Sequence, residues 1–496
     1  MVLAGLVFVV HPFGYLTRHP YWVDEVWVAL LAKAPLSRYV TLSSSTPVGW
    51  LLLVRFAPFG RDRLRLVPLL FASGDVVMAY VVARALPWKS TTAARFAGTV
   101  AAVLVLLAPI SLVRHDLKQY TADAFFALLI VWLASRVEAE PSRRRLTHLS
   151  VAAVVAVPFS TVSVFVSAAV FLGLLIAQLG PSSRRHVGDM AIAAGGTAVV
   201  LGLYLAFVID PHDNRALREY WQPYYLTGGP FHEIGQAWHR LAQVSSALGA
   251  PGWALVVLLG FGVFFMTRLQ RPAIALAVLL LWIEMFLAGV LGKYPFLDQR
   301  TSHFLLVFSL TVIGVGIAGV VVTVASRSRL VAVVVTVAMA VGFWHGAAPY
   351  VRTRSIPDED VRSQVLYVVA HRRPNDLVVV SLMSSYGLGF YWPGAKSTFS
   401  VDKTGNNTNG YTTRVANVPG LVYANGRAAP DTLDVMRSAL ALAKERGGDP
   451  RIWIIRTHLH LGEGSAWDST FQTLRLHPEL LPVGAEPLAV IDGEKQ

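Results

Sequence analysis

The sequence predicts a polytopic α-helical membrane protein that ends in a small soluble α/β domain. Three observations predict it. Apolar runs of roughly 20 residues recur along most of the chain, long enough to cross the hydrocarbon of a bilayer. The composition is 54% hydrophobic and the mean hydropathy is +0.52, far above a soluble domain. From about Ser355 the apolar runs stop and shorter, mixed periodicities take over.

Taken in order, the runs make about eleven spans, near 1–16, 65–86, 95–113, 120–136, 146–158, 161–179, 189–209, 252–267, 272–291, 303–325 and 329–347. The first has neither a basic leader nor a small-residue cleavage site, so it reads as a span and not a cleaved signal. The stretch 47–59 is apolar but short, and reads as a helix lying along the membrane surface. Basic clusters mark alternate loops: Arg84/Lys89/Arg95, Arg136/Arg143/Arg144/Arg145, Arg184/Arg185, Arg268/Arg271 and Arg327/Arg329. Placing them in the cytoplasm puts the amino terminus inside and the carboxyl-terminal tail outside. Loop 17–64, the segment 115–123, loop 210–250 and the segment 292–303 then share the external face with the tail.

The tail, 348–496, reads as a domain of its own beside the membrane domain 1–347. Helices are expected over 361–372 and 431–446, strands over 376–382, 451–457 and 486–491, and a turn-rich polar loop over 405–410. Such a domain of about 140 residues is large enough for its own core.

Composition also excludes chemistry. With no cysteine, disulfides, thiolate catalysis and cysteine metal sites are ruled out. The net charge of +13 sits largely in the short loops between apolar runs, and no basic stripe with base-stacking aromatics accompanies it, so nucleic acid is not a partner. Gly314-Val315-Gly316-Ile317-Ala318-Gly319 has the spacing of a dinucleotide motif but lies inside a span with no preceding strand; its small residues serve helix packing. His458-Leu459-His460 follows a predicted strand, and with no third ligand nearby the two read as surface histidines.

Chemistry concentrates in Tyr21-Trp22-Val23-Asp24-Glu25-Val26-Trp27, just after the first span. Aromatic rings favour the membrane interface, and paired acids at that depth need water, cations or a substrate. On a helix, neighbouring side chains diverge by about 100°, so Asp24 and Glu25 face different groups: one addresses a reacting hydroxyl, the other holds a neighbour or a metal. Residue chemistry alone does not say which is which. Lys118, Tyr120 and Asp123 stand at the mouth of the next external segment, as site groups or as a polar helix cap, with Asp123 already leaning into an apolar run. Lys293, Tyr294 and Arg300 form a second external knot, where the cations either meet a substrate phosphate or anchor on lipid headgroups.

As a set these motifs resemble the GT-C membrane glycosyltransferases: the dolichyl-phosphate-mannose protein mannosyltransferases, the lipid A aminoarabinose transferases and the RgtA/B/C/D-like branch, glycosyltransferase family 39-like. The acidic motif at Asp24-Glu25 is similar to the one in that family's first external loop. Thr46-Pro47-Val48-Gly49-Trp50-Leu51 resembles the second half of that loop, without the histidine often found there. Lys118-Gln119-Tyr120-Thr121-Ala122-Asp123 is similar to a Lys-x-Tyr-x-x-Asp element, and Tyr294-Pro295-Phe296 with Arg300 to a late Tyr-Pro…Arg loop. The resemblance covers about residues 1–345. It implies a GT-C fold and sugar transfer from a polyprenyl-phosphate donor to an envelope glycan, lipid or protein acceptor on the external face of the cell membrane. It implies Asp24 as base with Glu25 supporting it, and donor contacts from Lys118, Tyr120, Asp123, Lys293, Tyr294 and Arg300. No cofactor is certain; members differ over a divalent metal ion. The competing readings are a lipid-linked-sugar flippase and a non-catalytic membrane partner.

Overall fold

The computed structural model describes residues 2–11, 13–43, 45–108, 116–179, 186–209, 215–298, 300–351, 359–402, 410–459 and 462–492. The first span, expected as one helix, is instead three short pieces, Val2–Gly5, Val7–Val10 and Phe13–Arg18. That run contains Gly5 and Pro12, both poor residues for a helix interior. The loop that follows carries α1 (Val23–Leu31) and α2 (Val48–Phe56), the latter where the surface helix was expected.

A helix lies at each later span: α3 (Leu66–Arg84), α4 (Thr91–Leu106), α5 (Tyr120–Ala139), α6 (Arg143–Ala156), α7 (Ser163–Gln178) and α8 (Val187–Tyr204). After α9 (Pro230–Ala247) follow α10 (Ala254–Arg268), α11 (Pro272–Val290), α12 (His303–Ala325) and α13 (Arg329–Val351). Among the described residues the stretches Arg61–Arg84, Val187–Ile209, Pro272–Val290 and His303–Ala325 are long and apolar enough to cross a membrane, and four shorter apolar helices accompany them. Large apolar side chains such as Ile192, Phe207, Phe264 and Val333 point outward from this bundle. Water would penalise that arrangement; lipid does not. The chain is an integral membrane protein.

α12 is the hub, buried along most of its length against α3, α4, α5 and α10. Its glycines permit the approach. A Cβ at Gly314 would lie 2.6 Å from Ala101 Cα of α4, and one at Gly316 would lie 2.7 Å from Gly262 N of α10. The small-residue motif is therefore a helix-packing device, as its place inside a span required.

The tail forms α14 (Val361–His371), β1 (Leu377–Val380), α15 (Ser384–Tyr391), β2 (Ser397–Val401), β3 (Tyr411–Val415), β4 (Leu421–Tyr423), α16 (Ala429–Arg446), β5 (Ile452–Ile455), α17 (Glu463–Thr473), β6 (Glu479–Leu481) and β7 (Leu488–Ile491). The main sheet has the order β4-β1-β5-β7-β6; β4, β1 and β5 run parallel, while β7 is antiparallel to β5 and β6. β1, β5 and β7 are buried throughout, which is why they read from the sequence as continuous apolar runs. Most of the polar loop 405–410 lies outside the described residues.

This α/β unit is seated on the segment that carries α1. The wholly buried α15 packs on α1, where a Cβ at Gly389 would meet Leu30 Cδ2 at 3.1 Å. Tyr411 donates its hydroxyl to Trp27 O at 2.6 Å, and Tyr21 N–H donates to the Tyr391 hydroxyl at 3.0 Å. Arg38 reaches Phe399 O at 2.8 Å, and Lys33 Nζ stands 4.0 Å from the centre of the Phe390 ring. Burying a ring such as that of Phe390 is worth ~1.5–3 kcal/mol, so several such residues make a firm seat.

Candidate active site

Asp24 and Glu25 fall in the first turn of α1, where backbone N–H groups favour negative charge. Helical geometry then separates them. Glu25 turns inward and is fully buried. It pairs with the equally buried Arg65, with Nε to Oε1 at 2.7 Å and a second contact from Nη2 to Oε2. It also accepts the N–H of Trp22 at 3.3 Å and of Leu117 at 3.0 Å. Arg65 spends its remaining donors on Leu16 O, His19 O and Pro20 O at 2.7–3.0 Å. Glu25 therefore ties the start of α1, the entry to α3 and the Leu117 backbone together.

Asp24 turns the other way and keeps 22% of its side chain exposed. Arg300 Nη1 lies 3.3 Å from its Oδ2. Lys118, next in sequence to the residue Glu25 anchors, stands over the Trp27 ring at 3.9 Å. Burial works against a charge on Asp24, but Lys118, Arg300 and His458 outweigh it and hold the carboxyl below its ordinary value. Burial also pushes the Lys118 ammonium down to about 8, with Arg300 adding to that and Asp24 opposing it. Asp24 is thus an ionised, reachable carboxylate inside a ring of cations.

Arg300 is held from several sides. Asp298 accepts its backbone N–H at 3.1 Å and that of Thr301 at 3.0 Å, turning the loop. The Tyr220 hydroxyl accepts from Nη2, and the guanidinium stacks 5.4 Å from the centre of the Trp221 ring. Tyr120 opens α5 close to Arg300. One turn deeper, Asp123 lies beside Ser160 and Asp75, with the Tyr294 ring near it. Tyr294 packs edge-on against Phe165 and donates to Thr301 O at 2.9 Å.

No family model and no curated protein matches the chain in sequence. Solved structures do match its fold. ArnT from Cupriavidus metallidurans, bound to undecaprenyl phosphate, superposes with a TM-score of 0.55 at 14% identity over 99% of this chain and 97% of that one. The Archaeoglobus fulgidus oligosaccharyltransferase in complex with zinc and sulfate gives 0.56 at 11% identity, over 91% and 67%. The archaeal oligosaccharyltransferase AglB from the same organism, with an inhibitory peptide and a dolichol phosphate, gives 0.54 at 10%. The chain has the GT-C fold.

At such identities the likeness establishes the fold, and the chemistry must come from the site. Within the GT-C fold here, Asp24, Lys118, Tyr120 and Arg300 lie close together, with Asp123 and Tyr294 next to them. Glu25 is beside them in sequence but turned away. Lys293 is exposed, and no described carboxylate pairs with it. The divalent ion over which GT-C members differ finds a poor donor set. Glu25 has both oxygens committed, Asp24 meets cations, and among the described residues no group of three His, Asp or Glu residues is placed to hold a metal ion.

Sequence reading missed four contributors. Arg65 was legible as a cation entering an apolar run. Tyr220 and Asp298 carried no pattern of their own. His458, expected on the surface, is mostly buried: its Nδ1 lies 2.6 Å from Glu359 Oε1 and its ring 6.4 Å from the Trp22 ring. His460 lies outside the described residues. Asp75 of α3 likewise stands at mid-span, with His303 Nε2 at 3.9 Å.

Proposed function

We propose that this protein is an inverting glycosyltransferase that moves a sugar from a polyprenyl-phosphate carrier to an acceptor hydroxyl on the external face of the cell membrane. The observation that carries the reading is Asp24: a partly exposed carboxylate, held below its ordinary pKa, with Arg300 and Lys118 beside it. The solved GT-C structures bound to undecaprenyl phosphate and to dolichol phosphate support a lipid-phosphate donor. An external enzyme needs one, because no nucleotide-sugar pool exists there.

Asp24 takes the proton of the acceptor hydroxyl as its oxygen forms a bond to the anomeric carbon. The bond from that carbon to the phosphate oxygen breaks on the opposite face, and its electron pair leaves with the polyprenyl phosphate. Attack from the far side inverts the anomeric centre. The phosphate needs no proton to depart, so one base suffices, unlike the paired carboxyls of a glycosidase. Arg300 and Lys118 are fixed donors for the charge that grows on the phosphate, with Tyr120 alongside. Asp123 and Tyr294 shape the floor. The acceptor is an envelope glycan, lipid or protein.

Asp24→Asn tests this. It keeps the shape and removes the proton acceptor, so donor binding should persist while transfer falls by roughly 10²–10⁴-fold. Near-normal turnover by the folded variant, or a product with retained anomeric configuration, refutes the reading.

A further inference from the structure

The Asp24 site is bounded on one side by the C-terminal domain. His458 follows β5 in a left-handed backbone conformation, with φ of 55°, which a residue with a Cβ seldom adopts. Glu486, between β6 and β7, holds that turn by accepting the N–H of His458 at 2.8 Å and of Leu459 at 3.4 Å. The turn aims the ring at the start of α1. There Glu359, just before α14, bridges two partners: Oε1 meets His458 Nδ1 at 2.6 Å, and Oε2 accepts the N–H of Val23 at 3.0 Å. One carboxylate from the soluble domain therefore orients the imidazole and caps the helix that bears Asp24.

We propose that His458 is a positioning residue for transfer: the C-terminal domain presents it against the first turn of α1, beside the Trp22 ring and backed by the Glu359 carboxylate that also caps the helix bearing Asp24. This rests on the transferase reading of Asp24. It makes the soluble domain part of the site and explains why that domain is seated on the segment that carries α1 instead of hanging from the last span. The groups facing the ring are consistent with a charged imidazole. Burial alone would lower its pKa, but Glu359 and Asp24 outweigh burial and the opposing Arg427, and lift it above its ordinary value. Glu486 adds a further carboxylate on the backbone side. On the acidic side of neutrality, the His458 charge helps keep Asp24 ionised.

The test uses full-length protein in nanodiscs with ring-labelled histidine. His458 is assigned by its loss in His458→Gln, and its titration is followed by NMR without any donor. Its midpoint should lie above the ordinary histidine value and fall in Asp24→Asn. In the transfer assay, His458→Gln and Glu359→Gln should shift the acidic limb of kcat/KM upward by as much as about one pH unit, a loss of up to roughly tenfold on that limb. Glu359→Gln retains an acceptor for Val23 N–H, so it carries the test if His458→Gln fails to fold. A midpoint indifferent to Asp24→Asn, or an acidic limb unmoved in both variants, overturns the proposal. A parent protein that shows the coupled titration but transfers no sugar refutes the transferase reading and the positioning role with it; the NMR result identifies that as the point of failure.

Discussion

Glu25→Gln separates a structural acid from a chemical one. Glutamine preserves the shape but has one carbonyl oxygen, so it keeps only one of the Trp22 and Leu117 N–H groups that meet separate oxygens of Glu25, and it removes the charge opposite Arg65. Arg65 is wholly buried and keeps its three carbonyl partners, yet its cation is left without a counter-ion. Removing one partner of a buried, hydrogen-bonded pair costs about 3–5 kcal/mol. The pair joins the start of α1 to α3 and to the backbone next to Lys118, so the loss should appear first as a lower unfolding midpoint in detergent. Transfer should fall only because Asp24 and Lys118 are held less well. Neutralising the partner as well, in Glu25→Gln/Arg65→Met, should return a large part of the lost stability, with a coupling of about 0.5–3 kcal/mol in the double-mutant cycle. Added divalent ion should restore nothing, because both Glu25 oxygens face Arg65 and backbone N–H groups. A Glu25→Gln protein that unfolds like the parent but is inactive, or one revived by a divalent ion, refutes the structural assignment.

Arg300→Gln should weaken binding of a polyprenyl-phosphate sugar by about 1.5–3 kcal/mol, measured as Kd on folded protein. Lys293→Gln in the same assay should change little, since Lys293 is exposed and takes part in no described ion pair. Lys118 loses its proton as pH rises through about 8, so donor affinity should decline above that pH and stay level in Lys118→Arg. An unchanged profile in Lys118→Arg would show that another group titrates. For topology, tags after Gln496 and in loop 210–250 should report outside and a tag near Arg144 inside; a cytoplasmic signal from the tail would break the grouping of the site on one face.

Much of the fold was legible because burial in lipid leaves a strong one-dimensional trace. Each span after the first shows as an apolar run, and β1, β5 and β7 show as short apolar stretches because both their faces are covered. β4, β6, α15 and α17 did not show. β4 and β6 are only three residues each, and the buried α15 is rich in Ser, Gly and Tyr, with no helical stripe to betray it. The first run reads as one apolar stretch, while its described residues form three short helical pieces, because hydropathy counts apolar residues and takes no account of helix continuity.

The sequence by itself determined that acids, cations and aromatic residues gather at the mouths of spans, since their cost in hydrocarbon leaves them few other places. It also placed Asp24 and Glu25 side by side on a helix, where they had to diverge. Which of them stays partly exposed was decided only by the tertiary structure, through Arg65, some forty positions away, which draws Glu25 inward and leaves Asp24 to Arg300 and Lys118. The same holds for His458 and Glu359. Their place beside Asp24 depends on how the soluble domain is seated on the first loop, a packing of apolar faces between segments hundreds of residues apart. Local periodicity reports which face of an element is buried; it carries no record of which distant element will cover it.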